Sequence, residues 1–342
     1  MIMFGNILVI GNSSQSITGD IAEELEIAET FKQFGFEVEF WDRAEAIEKM
    51  KVVPFKEYHF IFIANNNKLG VLDIHFLKEK FKTLIIYWLP DYRDIGTDEK
   101  REGIMDILKA PDLVLIRQLT YLDRFQEERI RYHYWNFDVA LSIFQKEFDE
   151  EIYKNKIQPC YPNPLPISFI GNWVHNPWRM KFLWEVQRHF PDKMYVTTIM
   201  PNEFITGQIA AQPSEYKLKN VRYALFGHAF NTLVNITKIN LSLDWIVAEG
   251  YWSPRTARIM CAGGFVMVHH TKGMEKVFGS SGVNLVYFDS VEDCVEKIKY
   301  YLEHEKERKK IAERGYKYAN EFLRPKVRVK ELLDYVETLP RR

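Results

Sequence analysis

Trp252-Ser-Pro-Arg-Thr-Ala-Arg-Ile-Met-Cys-Ala-Gly-Gly-Phe265, followed by Gly282-Val-Asn-Leu-Val-Tyr-Phe-Asp289, is the stretch that decides the fold. It reads as a loop, a helix opening at Pro254, a Gly-Gly stop, a buried strand Phe265–Val268 and a further short strand over 284–288. Proline suits the first helical position, because the N–H it lacks would have no intrahelical partner there. The free N–H groups of that first turn, with Arg255 beside them, make an anion site.

The same alternation runs outward in both directions. Towards the N-terminus, strands are expected at Ile7–Ile10, Glu37–Trp41, Tyr58–Ala64, Thr83–Trp88 and Leu113–Ile116, with a helix over Asp20–Phe34. Their unbroken apolar character suits a parallel sheet covered on both faces. Nearer the quoted stretch, strands are expected at Ile167–Ile170, Met194–Ile199, Val221–Phe226 and Ile239–Leu243, with a helix over Pro177–Phe190. Charged amphipathic helices over Glu292–His304 and Glu307–Phe322 follow. Strand–helix alternation of this kind predicts an α/β, doubly wound architecture. Residues 155–166 hold four prolines, which favour extended chain. The expected division is therefore 1–155, a Pro-rich linker 156–166, a second domain 167–325, and a C-terminal helix 326–342 that returns to the first domain.

Composition narrows the function. At 342 residues the chain exceeds one ordinary core, so two domains are expected. A formal net charge of −1 provides no global field for a polyanion. Three cysteines, Cys160, Cys261 and Cys294, form neither a metal spacing nor a disulfide framework, which fits a reducing compartment and a cytoplasmic location. The apolar runs are too short to span a bilayer. No metal-binding motif is visible. Aromatic residues make up 15% of the chain, either as packing or as stacking platforms for a sugar or base.

The stretch from Lys238 to Phe322 resembles the C-terminal domain of GT-B glycosyltransferases, of the CgeB-like, group-1 type. The matching pieces are Lys238-Ile-Asn-Leu-Ser-Leu243, Pro254-Arg255, Cys261-Ala-Gly-Gly-Phe265, Gly273-Met-Glu-Lys-Val-Phe278 and Val286-Tyr-Phe-Asp-Ser290, continuing through Ile298-Lys-Tyr-Tyr-Leu302 to Gly315. The resemblance implies two Rossmann-like domains facing a cleft. It implies a nucleotide-diphosphate sugar, UDP-linked by first expectation, held by the C-terminal domain, and an acceptor held by the N-terminal one. It also implies a glutamate three residues after the Pro-Arg pair, to grip the donor ribose. Arg258 stands there instead, and Arg has donors but no acceptor.

Candidate donor-binding residues are Ser253, Pro254, Arg255, Thr256 and Arg258 at the helix start, and Gly171, Asn172 and Arg179 in a second strand–loop–helix with a basic first turn. Lys238 and the Gly227-His228 pair complete the set; each also has an ordinary reading, as a strand-edge lysine and a loop histidine. Candidate acceptor contacts are Asn12, Ser13 and Ser14 after the first strand, and Tyr92 and Arg93 after the fourth. Asp91 in Leu89-Pro-Asp-Tyr-Arg-Asp94 is the expected base that takes the acceptor proton, or else a turn cap. This loop also has a faint likeness to the catalytic loop of phage DNA β-glucosyltransferase. Residues 117–135 mix arginines with aromatics, the pattern of a nucleic-acid surface or of a solvated helix with a packed aromatic face. The expected activity is metal-independent transfer, with no cofactor, to a glycan or surface-polymer precursor. The alternatives are transfer to a hydroxymethylated DNA base and a non-catalytic sugar- or nucleotide-binding module.

Overall fold

The computed structural model describes residues 5–13, 23–64, 69–89, 105–119, 122–135, 137, 142–173, 176–197, 218–222, 225–245 and 247–340. It divides into two compact units. One comprises the N-terminal strand, Ile21–Phe137 and Pro325–Arg342; the other comprises Asp138–Arg324.

The first unit is built on a six-stranded parallel sheet of β1 (Asn6–Gly11), β2 (Glu37–Asp42), β3 (Phe60–Ala64), β4 (Leu84–Leu89), β5 (Leu113–Ile116) and β6 (Tyr132–Tyr134). The spatial order is β2-β1-β3-β4-β5-β6. Every residue of β3 and β5 is buried, as the continuous apolar runs require when helices cover both faces. The C-terminal helix Pro325–Val336 packs here, against the helix Glu23–Gln33. Trp135 donates its indole N–H to the Arg328 carbonyl at 2.8 Å, and His133 stacks on Tyr335 at 3.9 Å.

Strand β6 was not expected from sequence; it forms inside the basic–aromatic stretch 117–135. Folding buries part of that stretch and leaves Arg124, Arg129 and Arg131 exposed. Arg117, Phe125 and Trp135 are buried, and Arg124 pairs with Glu128 at 2.9 Å. Tyr132, His133 and Tyr134 of β6 are half-buried, and Phe125 and Trp135 are taken up by packing. The same holds more widely, since Trp41, Trp88, Trp135, Trp173 and Trp252 are all fully buried.

The second unit carries β7 (Leu165–Ile170), β8 (Met194–Thr197), β9 (Val221–Arg222), β10 (Thr237–Ser242), β11 (Val266–His269) and β12 (Val286–Phe288), all parallel. Their order is β12-β11-β10-β7-β8-β9. The chain winds outward from β7 on one side and from β10 on the other. The order therefore reverses between these two strands, and a crevice opens beyond their carboxyl ends. The expected linker 156–166 lies within this unit, where Ile157 and Tyr161 join the core.

The helix Pro254–Cys261 begins and ends where the sequence places it. Ser253 is its N-cap, and Gly263, at φ +79°, takes the left-handed step that ends it. Its partner is the helix Glu305–Phe322, in which Gly315 lies so close to the Asn284 carbonyl that a Cβ would overlap it. Among the described residues, no helix is long and apolar enough to cross a membrane.

Candidate functional site

The crevice between β7 and β10 is floored by two arginines. Arg255 sends its Nε to the Ile170 carbonyl at 2.5 Å and its Nη1 to the Leu243 carbonyl at 2.8 Å, so one guanidinium ties together the ends of both strands. Its Cζ lies 4.7 Å from the Phe169 ring centre. Arg179, only 2% exposed, donates to the same Leu243 carbonyl at 2.5 Å and to the Asn172 carbonyl. Gly171, at φ +155°, gives Arg255 its space: a Cβ there would lie 2.7 Å from the guanidinium carbon. Burial lowers the Arg255 pKa to about 10, against the opposing pull of the Asp244 carboxylate.

These contacts change the reading of Arg255 and Arg179. A cation is disfavoured at a helix N-terminus, and a bound anion was the expected compensation. The structure supplies backbone carbonyls instead. The first turn is also partly capped from within. The Ser253 hydroxyl accepts from the Arg255 N–H at 3.4 Å, and the Ser253 carbonyl from the Thr256 N–H at 3.0 Å. Thr256 is fully buried and bonds Ser242 of β10 through its hydroxyl at 3.0 Å. Asp244, which the sequence reading missed, accepts from the Ser253 N–H at 2.9 Å and so fixes the helix start against the end of β10. A carboxylate placed directly after a buried strand, at the carboxyl end of a sheet, was the available signal.

Above this floor is a hollow of about 110 Å³. Gly171, Ser253, Pro254, Arg255 and Arg258 form its polar side, and Phe144, Leu225, Phe226 and Phe230 its apolar side. The Arg258 guanidinium lies 4.8 Å from the Phe144 ring centre, a cation–π arrangement that holds the charge beside the hollow. The apolar wall comes from segments too far apart in sequence to be grouped by motif.

Of the other expected donor contacts, Gly227 and His228 follow directly on Leu225 and Phe226 of the apolar wall. Gly227 starts the helix His228–Ile236 at φ +52°, while His228 is half-exposed and pairs with Glu147 at 2.8 Å. Lys238 sits near the start of β10, at the opposite end of the strand from Leu243. At ~3.3 Å per residue that separates it from the crevice by roughly 15 Å. His269 and His270 fall on opposite sides of the chain, as successive strand residues must. His269 meets Trp178 and Phe288, and His270 lies between Glu275 and Asp289.

The first unit has its own switch point, between β1 and β3. At the end of β1, Ser13 donates its N–H to Asp42 at 2.9 Å and its hydroxyl to the same oxygen. These bonds hold the Asp42 carboxyl below its usual range and tie the loop to β2. Glu24, in the first turn of the next helix, packs on Gly11: a Cβ at position 11 would lie 2.8 Å from the Glu24 side chain. Burial pushes the Glu24 pKa up to about 7, although N–H groups of Glu24 itself and of Asn12 favour its charged form. Ser14, Asp91, Tyr92 and Arg93 lie outside the described residues. Among the described residues, no group of three or more His, Cys, Asp or Glu side chains is placed to hold a metal.

A family model described as glycosyl transferase-like matches residues 203–334. No curated protein matches the chain in sequence. Among solved structures, Anabaena HepE in complex with UDP and glucose is similar at a TM-score of 0.71 and 12% identity, over 98% of this chain and 100% of that one. Sucrose-phosphate synthase from Thermosynechococcus elongatus matches at 0.67 and 9% identity, over 97% and 98%. An alpha-glucosyltransferase in complex with UDP and a 13-mer DNA containing an HMU base matches at 0.65 and 10% identity, over 98% and 100%. Two parallel doubly wound sheets of this kind are the GT-B fold.

Proposed function

We propose that this chain, a GT-B glycosyltransferase, moves a sugar from a UDP-sugar to a hydroxyl of a glycan or surface-polymer precursor, without a metal. The observation that carries the reading is the switch-point crevice of the second unit, where the helix opening at Ser253-Pro254 meets the ends of β7 and β10 beside the Arg258 guanidinium. Doubly wound sheets bind ligands at this point. The glycosyl transferase-like match covers β10 and that helix, and the UDP complexes of HepE and the alpha-glucosyltransferase support the choice of nucleotide.

The chemistry needs a positive field where the diphosphate leaves and a base where the acceptor hydroxyl loses its proton. The helix dipole and Arg258 supply the first. The 3.4 Å bond from the Arg255 N–H to the Ser253 hydroxyl is long enough for a phosphate oxygen to replace it. Arg255 and Arg179 position the crevice through backbone carbonyls. Asp91 is the base of this proposal, with Asn12, Ser13, Ser14, Tyr92 and Arg93 around the acceptor.

A second reading, transfer to a hydroxymethylated DNA base, is favoured by the alpha-glucosyltransferase complex with HMU-containing DNA. Binding to duplex DNA that falls steeply with salt supports that reading, and no binding at low salt removes it.

Thermal unfolding across a panel of nucleoside diphosphates, followed by turnover of the corresponding sugars with and without EDTA, tests the proposal. UDP at a hundred times its Kd stabilises by about 2.7 kcal/mol. Arg258→Ala then weakens UDP, and Asp91→Asn abolishes turnover while sparing UDP affinity. Failure of every nucleotide to stabilise the chain overturns the reading, and affinity without turnover on any acceptor identifies a binding module.

A further inference from the structure

We infer that the groove at the amino end of the second unit's sheet, which Lys238 and Arg308 both line, is a binding site for a small hydroxyl-bearing phosphate ester, separate from the donor crevice. The groove has a volume of about 690 Å³, within the range of small-molecule sites. It lies at the start of β10, against the Gly263-Gly264 turn and the beginning of the helix Glu305–Phe322.

The charges in the groove do not cancel. Lys146, Lys238, Arg308 and Lys309 face it, with Glu305 and Glu313. Lys146 is paired with Glu313 at 3.3 Å and Lys309 with Glu305 at 2.6 Å. Lys238 forms no ion pair or hydrogen bond among the described residues, and feels Glu305 only at a distance. Arg308 is only 5% exposed, and its one side-chain hydrogen bond among the described residues runs from Nη1 to the Tyr301 carbonyl at 2.5 Å. Its Nε and Nη2 have no bonded partner among the described residues, and the side chain lines the groove. Two cations, one of them a buried fork of donors, are left without a bonded counter-charge.

A buried guanidinium is costly unless paired, and the local acid does not make up the difference: desolvation lowers the Arg308 pKa, with Glu305 opposing. A phosphate dianion supplies what is missing. It accepts from the Arg308 fork and from Lys238, and lies near the positive end of the Glu305–Phe322 helix dipole. Glu305 and Glu313, which line the same groove and are held by their lysines, are the acceptors there for hydroxyls next to that phosphate. A bare anion would leave them idle, which is why the ligand is assigned as a hydroxyl-bearing ester.

Calorimetric titration of the full chain with glucose 6-phosphate, glycerol 3-phosphate and inorganic phosphate, with and without saturating UDP, tests this site. The esters are expected to bind more tightly than inorganic phosphate and to bind equally well in the presence of UDP. Lys238→Ala and Arg308→Lys are each expected to weaken ester binding by about tenfold or more, the worth of a charged hydrogen bond. UDP binding by both variants shows that the second unit remains folded. Absence of ester binding, inorganic phosphate binding as tightly as the esters, competition by UDP, or full ester affinity in Lys238→Ala and Arg308→Lys each overturns the assignment. UDP binding without ester binding leaves the donor-site reading standing, so the two proposals fail separately.

Discussion

The guanidinium of Arg255 fills the volume that a side chain at position 171 would occupy. Its Cζ and Nε lie 2.7 and 2.8 Å from where a Cβ on Gly171 would stand. The crevice at the β7–β10 switch point therefore depends on a glycine and an arginine far apart in sequence: a side chain at 171 and the guanidinium of Arg255 exclude each other.

Gly171→Ala is the direct test of that relationship. The added methyl must displace Arg255, and the φ of +155° is strained for any L side chain. The expected loss is about 1–3 kcal/mol, a fall in Tm of several degrees, accompanied by weaker UDP binding. Unchanged Tm and UDP affinity would show that the guanidinium does not lie there.

Arg255→Ala separates the two strand ends it ties. The Leu243 carbonyl keeps Arg179, whereas the Ile170 carbonyl loses the Arg255 donor. A buried acceptor left unpaired costs about 1–3 kcal/mol. Arg255→Lys restores one donor at most, so it should recover part of the stability but not the tie. Denaturant midpoints of the two variants, measured beside UDP affinity, check the order wild type > Lys > Ala.

Glu24 predicts a pH dependence. Its carboxyl has a pKa of about 7 in the folded chain, against 4.5 ordinarily. Between those values the folded state holds a proton that the unfolded state has released, so stability falls as pH rises from about 4.5 to 7 and levels off above. Glu24→Gln should remove this slope and raise stability at pH 8, by on the order of 1–3 kcal/mol. Urea midpoints of both proteins at pH 5 and pH 8 decide it; parallel slopes rule out Glu24 as the source.

Gly315→Ala probes the support behind the donor helix. The new methyl would overlap the Asn284 carbonyl, which is backbone and has little room to give. Overpacking of about 1–3 kcal/mol is expected, against the gain in helix propensity that the same change brings at an unobstructed site. A rise in Tm would contradict the packing described here.

Residue order alone was enough for the α/β class, for the placement of most strands, and for the helix that Ser253 and Pro254 open and Gly263 closes. Each of these depends on neighbours in the chain: apolar runs, a capping hydroxyl, a proline's fixed φ, a glycine's positive φ. The roles of the arginines were not open to that kind of reading. From position alone Arg255, Arg179 and Lys238 were equivalent cations near phosphate-like turns. Folding gave the first two to carbonyls at the ends of β7 and β10 and in the Asn172 turn, and set the third at the other end of its strand, in a groove that Arg308 also lines. A side chain's charge is written in the sequence, but its counter-charge depends on which distant segments the sheet order brings alongside it. Only the tertiary structure decides that.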